Sequence, residues 1–194
     1  MIDKKADILS SGRALFYSKG FKDTNITDIA KMAEISVGTF YNHYASKEKL
    51  FLEVFIRESK QLIKSIAESG GLNDDPASLV TKIVMQSISE INSNLILKEW
   101  YNRELIGKLE QYLYEQGCSD SIDEFMQSIK AELIKKCKAD WKIRDDIDDE
   151  MIIAIFNSIL YIDIHKSEIG VQYFPQILHY ITKFMVKGLA ECPK

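Results

Sequence analysis

The stretch Asn25-Ile26-Thr27-Asp28-Ile29-Ala30-Lys31-Met32-Ala33-Glu34-Ile35-Ser36-Val37-Gly38-Thr39-Phe40-Tyr41-Asn42-His43-Tyr44-Ala45-Ser46 decides how the rest of the chain is read. Asn25 is a good N-cap for a helix over residues 26–33, because its side-chain oxygen can accept a free backbone N–H. Asp28 falls at the third helical position, where a carboxylate suits the positive end of the helix dipole. Ser36 repeats the signal for a second helix over 37–43, and Ser46 repeats it again. Helices of seven or eight residues are marginal alone in water, so these two must be held by tertiary packing. Ile29, Met32, Ile35 and Phe40 are the expected anchors, against Leu15 and Phe16 upstream. The result is two short helices joined by a three- or four-residue turn, the second aromatic and polar. That is the helix-turn-helix pattern used to enter a DNA major groove.

Upstream, residues 6–19 read as one helix that ends on Lys19-Gly20, a basic last turn followed by glycine. Downstream, Phe51, Val54, Phe55, Leu62 and Ile66 form a helical stripe over about 47–68. The cluster Ser69-Gly70-Gly71-Leu72-Asn73-Asp74-Asp75-Pro76 is the strongest breaker in the chain, with Asp75 as cap and Pro76 at the first helical position. Helices then follow at about 76–93, 95–116 with a bend at Gly107, 120–139, 148–166 and 171–190. The expected class is all-α. Residues 1–46 form a three-helix DNA-binding head, 47–69 a connecting helix, and 70–194 a ligand-binding and dimerisation body.

Composition agrees with a helical protein. Among 194 residues only nine are Gly and three Pro, too few turn formers for a hairpin-rich β fold. No run of about 18 apolar residues could cross a bilayer, and the polar N-terminus lacks a signal core, so a soluble cytoplasmic protein is expected. Cys118, Cys137 and Cys192 are scattered, and read as reduced packing thiols rather than disulfide or zinc ligands. The net charge of −4 hides an asymmetry. Residues 1–50 carry eight basic against six acidic side chains, a net of +2 that leaves −6 for the remainder. A mildly basic head on an acidic body turns the head toward a polyanion.

The wording from Ile8 to Phe51 closely resembles the head of the TetR family of bacterial transcriptional repressors. The resemblance is carried by Ala14-Leu15-Phe16, Lys19-Gly20-Phe21, Thr27-Asp28-Ile29-Ala30, Ile35-Ser36-Val37-Gly38-Thr39-Phe40-Tyr41, Tyr44-Ala45-Ser46-Lys47-Glu48 and Leu50-Phe51. It implies a dimeric repressor of about nine helices that binds double-stranded operator DNA and whose body accommodates a small inducer, with no cofactor and no metal. It assigns Thr27, Val37, Gly38 and Thr39 to the groove-facing helix starts, and Tyr41, Asn42, His43, Tyr44 and Lys47 to bases or phosphates. Side-chain chemistry agrees for several. Ser36 leaves a capped helix N-terminus near phosphate, Gly38 lets backbone approach base edges, Thr39 offers a hydroxyl and a methyl, and Lys47 supplies a point charge. Phe40 is expected in the core. Two departures stand out: Glu34 occupies a turn position often held by glycine, and Gly12 interrupts the first helix where alanine is usual.

In the body, Trp100, Tyr101, Tyr112, Phe125 and Met126 fall where the resemblance places an inducer pocket, and aromatic walls suit an apolar or aromatic ligand. The same residues also fit a plain helical core. The last two helices are unusually apolar. Ile155, Ile159, Ile162, Phe174, Ile177, Ile181 and Phe184 could pair two copies through a four-helix bundle, the alternative being a buried central helix in a monomer. The acidic run Asp145 to Glu150 lacks calcium-loop spacing and suits the start of the following helix. Nucleophile-elbow, phosphate-loop and dinucleotide motifs are missing, so no enzyme is expected. A ligand-binding module without DNA affinity, or an enzyme of another type, remain the alternatives.

Overall fold

The computed structural model describes residues 3–68, 76–115, 138, 144 and 146–190. The described residues are helical, with no strand among them. Helix α1 spans Lys4–Lys19, α2 Ile26–Met32, α3 Val37–His43, α4 Lys47–Glu68, α5 Pro76–Ser93, α6 Leu95–Lys98 and α7 Arg103–Glu115. Then come α8, Asp149–Ile164, α9, Lys166–Ile169, and α10, Gln176–Ala190. Short 3-10 turns cover Glu99–Tyr101 and Val171–Tyr173. Apart from Lys138, the expected helix at 120–139 lies outside the described residues, as do Asp75 and the three cysteines. No described helix is long and apolar enough to cross a membrane.

The chain forms two compact units. The first takes the chain through Leu62 together with the stretch that opens at Glu90. The second takes Ile63–Ser89 and the described residues from 138 onward.

The first unit is built on α1. Asp3 caps it through its carboxylate, and Gly20 ends it with φ 78°, a conformation that side chains avoid. Ile8, Phe16, Ile29, Phe40, Leu50 and Phe51 are fully enclosed. Phe51 meets Phe16 and Phe21 edge-on, with centroids 5.0 and 4.9 Å apart. Gly12 has a packing purpose: a Cβ there would lie 2.6 Å from Leu50 Cδ2, so the missing atom leaves the room that the Leu50 side chain takes against α1. Met32, expected in this core, is instead exposed. Helix α2 ends there, and the turn through Glu34 carries the chain away before that face is covered. Glu34 holds φ 53°, which costs a non-glycine residue on the order of 1 kcal/mol. The Ile35 N–H donating to the Ala30 carbonyl at 3.0 Å closes the same turn.

Helix α6 packs on α1 within this unit, burying Ile96 and Leu97. Its cap, Asn94, also reaches a buried carboxylate. Glu58 of α4, only 5% exposed, accepts Arg13 Nε at 2.5 Å and Asn94 Nδ2 at 2.8 Å, joining three helices through one charge. The bend expected at Gly107 occurs at Asn102 instead. There a side-chain oxygen caps the Leu105 N–H at 3.2 Å and starts α7 afresh, whereas Gly107 lies in open helix.

In the second unit, Asp148 caps α8 at Met151 N, 2.7 Å away, and Asp149 and Glu150 fill its first turn, as the acidic run suggested. Ile88, Ile159 and Leu178 form a core flanked by Phe156, Ile162, Phe174 and Met185. Ile152 and Leu189 form a second core, with Ile155 against it.

Candidate nucleic-acid interface

Helices α2 and α3 are framed by side-chain caps at their starts. Asn25 Oδ1 accepts the Asp28 N–H at 2.8 Å, while Asn25 Nδ2 donates to the Asp28 carboxylate at 3.1 Å. Ser36 Oγ accepts the Thr39 N–H at 3.0 Å and lies 2.9 Å from the Thr39 hydroxyl. The seven residues of α3 then divide by helical period. Phe40 points inward, fully buried, while Val37, Gly38, Tyr41 and Asn42 present one solvent face at i, i+1, i+4 and i+5. Tyr41 is 53% exposed, its ring held edge-on against Phe40 at 5.6 Å. His43 and Ser36 are exposed, Thr39 is half-buried, and Thr27 is exposed on α2. A short helix with a rigid aromatic root and a small, polar outer face can enter a groove without bulky side chains holding its backbone away.

Two expected contacts are placed differently. Tyr44 is only 2% exposed, one helical turn after Phe40 and on the same inward face, and its hydroxyl donates to Glu53 Oε2 at 2.9 Å. Burial first, and then the hydrogen bond to Glu53, push its phenol well above the usual range, so it stays neutral. Tyr44 is therefore corrected from a DNA contact to a core residue, because the i, i+4 spacing from Phe40 turns it away from solvent. Lys47 is half-buried. Its Nζ donates to the Phe21 and Thr24 carbonyls at 2.8 and 2.7 Å and sits 4.2 Å from the Phe21 ring centroid. Burial lowers its affinity for the proton. Rather than standing free as a point charge, this ammonium closes the loop between α1 and α2.

Of the pocket candidates, Trp100 and Tyr101 lie in the 3-10 turn after α6, with Tyr101 half-buried, and Tyr112 lies in α7. Phe125 and Met126 lie outside the described residues. The pairing candidates also divide. Ile159 is enclosed in the chain's own core, and Ile155, Ile162 and Phe174 pack against core clusters, because α8 is apolar on several sides and its own neighbours take one of them. Ile177 and Ile181 are half-buried, while Phe184 is 66% exposed and stacks on the exposed Tyr180 at 6.1 Å.

Sequence reasoning passed over Glu53 and Glu58, although both left traces. Glu58 sits seven residues beyond Phe51 in the apolar stripe of α4, a position that forces a carboxylate inward and calls for a cation such as Arg13. Asn94 stands directly before the apolar Leu95-Ile96-Leu97, an ordinary N-cap signal. Glu53 left only its i, i+4 spacing to Arg57, because its other partners, Lys5 and Tyr44, come from other helices or their ends.

Residues 8–54 match the sequence profile of bacterial regulatory proteins, tetR family. The chain is similar to the uncharacterized HTH-type transcriptional regulator YerO of Bacillus subtilis, with 42% identity over 71 residues, which cover 35% of this chain and 25% of that relative. A longer match, 20% identical over 93% of this chain and 91% of the other, is to the HTH-type transcriptional repressor KstR2 of Mycolicibacterium smegmatis. Among solved structures, the transcriptional regulator FadR from Bacillus subtilis in complex with stearoyl-CoA aligns with a TM-score of 0.63. At 14% identity over 97% of this chain and 99% of that one, this is a likeness of fold.

Proposed function

We infer, from the premise that this chain belongs to the TetR family of DNA-binding transcriptional regulators, that it is a repressor which binds a palindromic operator as a homodimer and is released by a small molecule. Members of this family are transcription factors rather than enzymes. The observation that carries the reading is the outer face of α3, where Val37, Gly38, Tyr41 and Asn42 stand free of the core around a fixed Phe40 root. Thr39, His43, Thr27 and the capped Ser36 flank that face and complete the set of DNA-contacting residues. In this reading residues 1–46 serve as the DNA-binding domain, 47–69 as the connecting segment and 70–194 as the ligand-binding and dimerisation domain.

Two heads must reach successive major grooves roughly 34–36 Å apart, so a ligand that favours a different spacing releases the operator. The ligand is apolar or aromatic in this reading. Support comes from the aromatic residues at 100, 101 and 112, and from a fold neighbour that holds stearoyl-CoA. Pairing involves the exposed apolar side chains of α8 and α10, with Phe184 and Tyr180 central.

The test is a band shift with the DNA upstream of the protein's own gene, comparing wild type with Tyr41→Ala. The wild type retards that DNA, and retardation weakens steeply with salt because bound phosphates release counterions. Tyr41→Ala lowers affinity about tenfold with an unchanged circular dichroism spectrum, the cost of about one groove contact. Equal affinity in the two proteins would reject α3 as the reading element.

A further inference from the structure

We propose that Glu53 is a positioning residue for the reading helix: it anchors the C-terminal end of α3 through the Tyr44 hydroxyl and thereby sets how α3 presents its outer face to DNA. The proposal rests on the repressor reading above and deepens it.

Helix α3 has seven residues and one buried side chain, Phe40, and a helix this short depends on what holds its two ends to fix its tilt. Its N-terminal end is held by Ser36. At its C-terminal end the cap residue Tyr44 lies in the core, and its hydroxyl carries that end to α4. The acceptor is prepared for the task. Glu53 Oε1 receives Arg57 at 2.9 Å, and Oε2 receives both the Tyr44 hydroxyl at 2.9 Å and Lys5 at 3.2 Å. Burial alone would raise the Glu53 carboxyl, yet the hydrogen bonds from Tyr44 and Lys5 and the charges of Lys5 and Arg57 outweigh it and hold the group ionised. Lys5 also lies 5.5 Å from the Tyr44 ring centroid. One carboxylate thus ties α1, α4 and the end of α3 together. A hydrogen bond to an ionised acceptor is stronger and more directional than one between neutral groups, which is what fixing an angle requires. Exposed salt bridges placed only for stability contribute little, so the presence of a buried phenol at this hub points to orientation.

The experiment uses the full-length protein with Tyr44→Phe, which keeps the ring and removes the hydroxyl, together with Glu53→Ala, the double variant and Glu53→Gln. The DNA probes are duplexes enriched by the wild type from a random pool, and the starting pool itself. Tyr44→Phe and Glu53→Ala each reduce the ratio of binding to enriched over random duplex about five- to tenfold, because base contacts need angle while phosphate contacts tolerate error. The double variant is no worse than Glu53→Ala alone, since the Tyr44–Glu53 bond is already broken there. Glu53→Gln, which keeps an acceptor oxygen for Tyr44 but loses the charge, recovers only part of the ratio. In the free protein, amide exchange across α3 accelerates in Tyr44→Phe while that of α1 and α4 does not. An unchanged ratio in Tyr44→Phe, or an equal loss on both probes, overturns the proposal, and so does unchanged α3 exchange. Should the wild type enrich no sequence at all, the repressor reading fails, and with it any role for Glu53 in reading DNA. The exchange measurement then still reports whether the anchor holds α3.

Discussion

Gly12 shows how a single residue reverses the sign of a propensity argument. Read from sequence, glycine inside α1 is a defect worth about 1 kcal/mol against alanine. In the structure the missing Cβ is the space that Leu50 occupies, and Leu50 is fully buried among its neighbours. Gly12→Ala therefore lowers stability by about 1–3 kcal/mol through overpacking, despite its better helix propensity. Urea denaturation checks this, and a higher midpoint in the variant would contradict the packing account. Caps were legible at this scale, because Asn25 and Ser36 act on N–H groups three residues away. Tyr44 was misread because the family pattern assigned it to DNA, while its spacing from Phe40 already placed it inside.

At the scale of elements, α1 to α4 followed from caps and apolar spacing, since both are local. The break between α6 and α7 did not: glycine at 107 was the obvious weak point, but a side-chain cap at Asn102 starts a new helix earlier. The attachment of α6 to α1 and α4 through Asn94 and Glu58 was also hidden, because it joins residues 36 positions apart. Lys47 belongs at this scale too. Its two carbonyl bonds and its place over Phe21 make it a brace between the start of α4 and the loop leading into α2. Lys47→Met keeps the aliphatic stem and removes the donor, and it lowers thermal stability by about 1–2 kcal/mol. If stability is unchanged while the salt dependence of DNA binding falls by about one phosphate, the ammonium serves DNA rather than the loop.

For the whole molecule, the apolar character of α8 and α10 was plain in the sequence, but its division between internal core and outer face was not. Periodicity cannot divide a helix that is apolar nearly all round, and Ile159 and Phe184 illustrate the two outcomes. Phe184→Glu replaces an exposed ring and leaves the core clusters untouched, so helix content is retained. At micromolar concentration sedimentation shifts from dimer to monomer, whereas a persistent dimer would place the interface elsewhere. In the homodimer proposed above, two readers on one paired scaffold imply a symmetric target. The most direct measurement is selection of bound duplexes from random DNA by the full-length protein. An inverted repeat should emerge, with half-sites centred about 10 base pairs apart or a multiple of that spacing. Enrichment of a single unpaired half-site, or of nothing, would contradict a dimeric DNA reader.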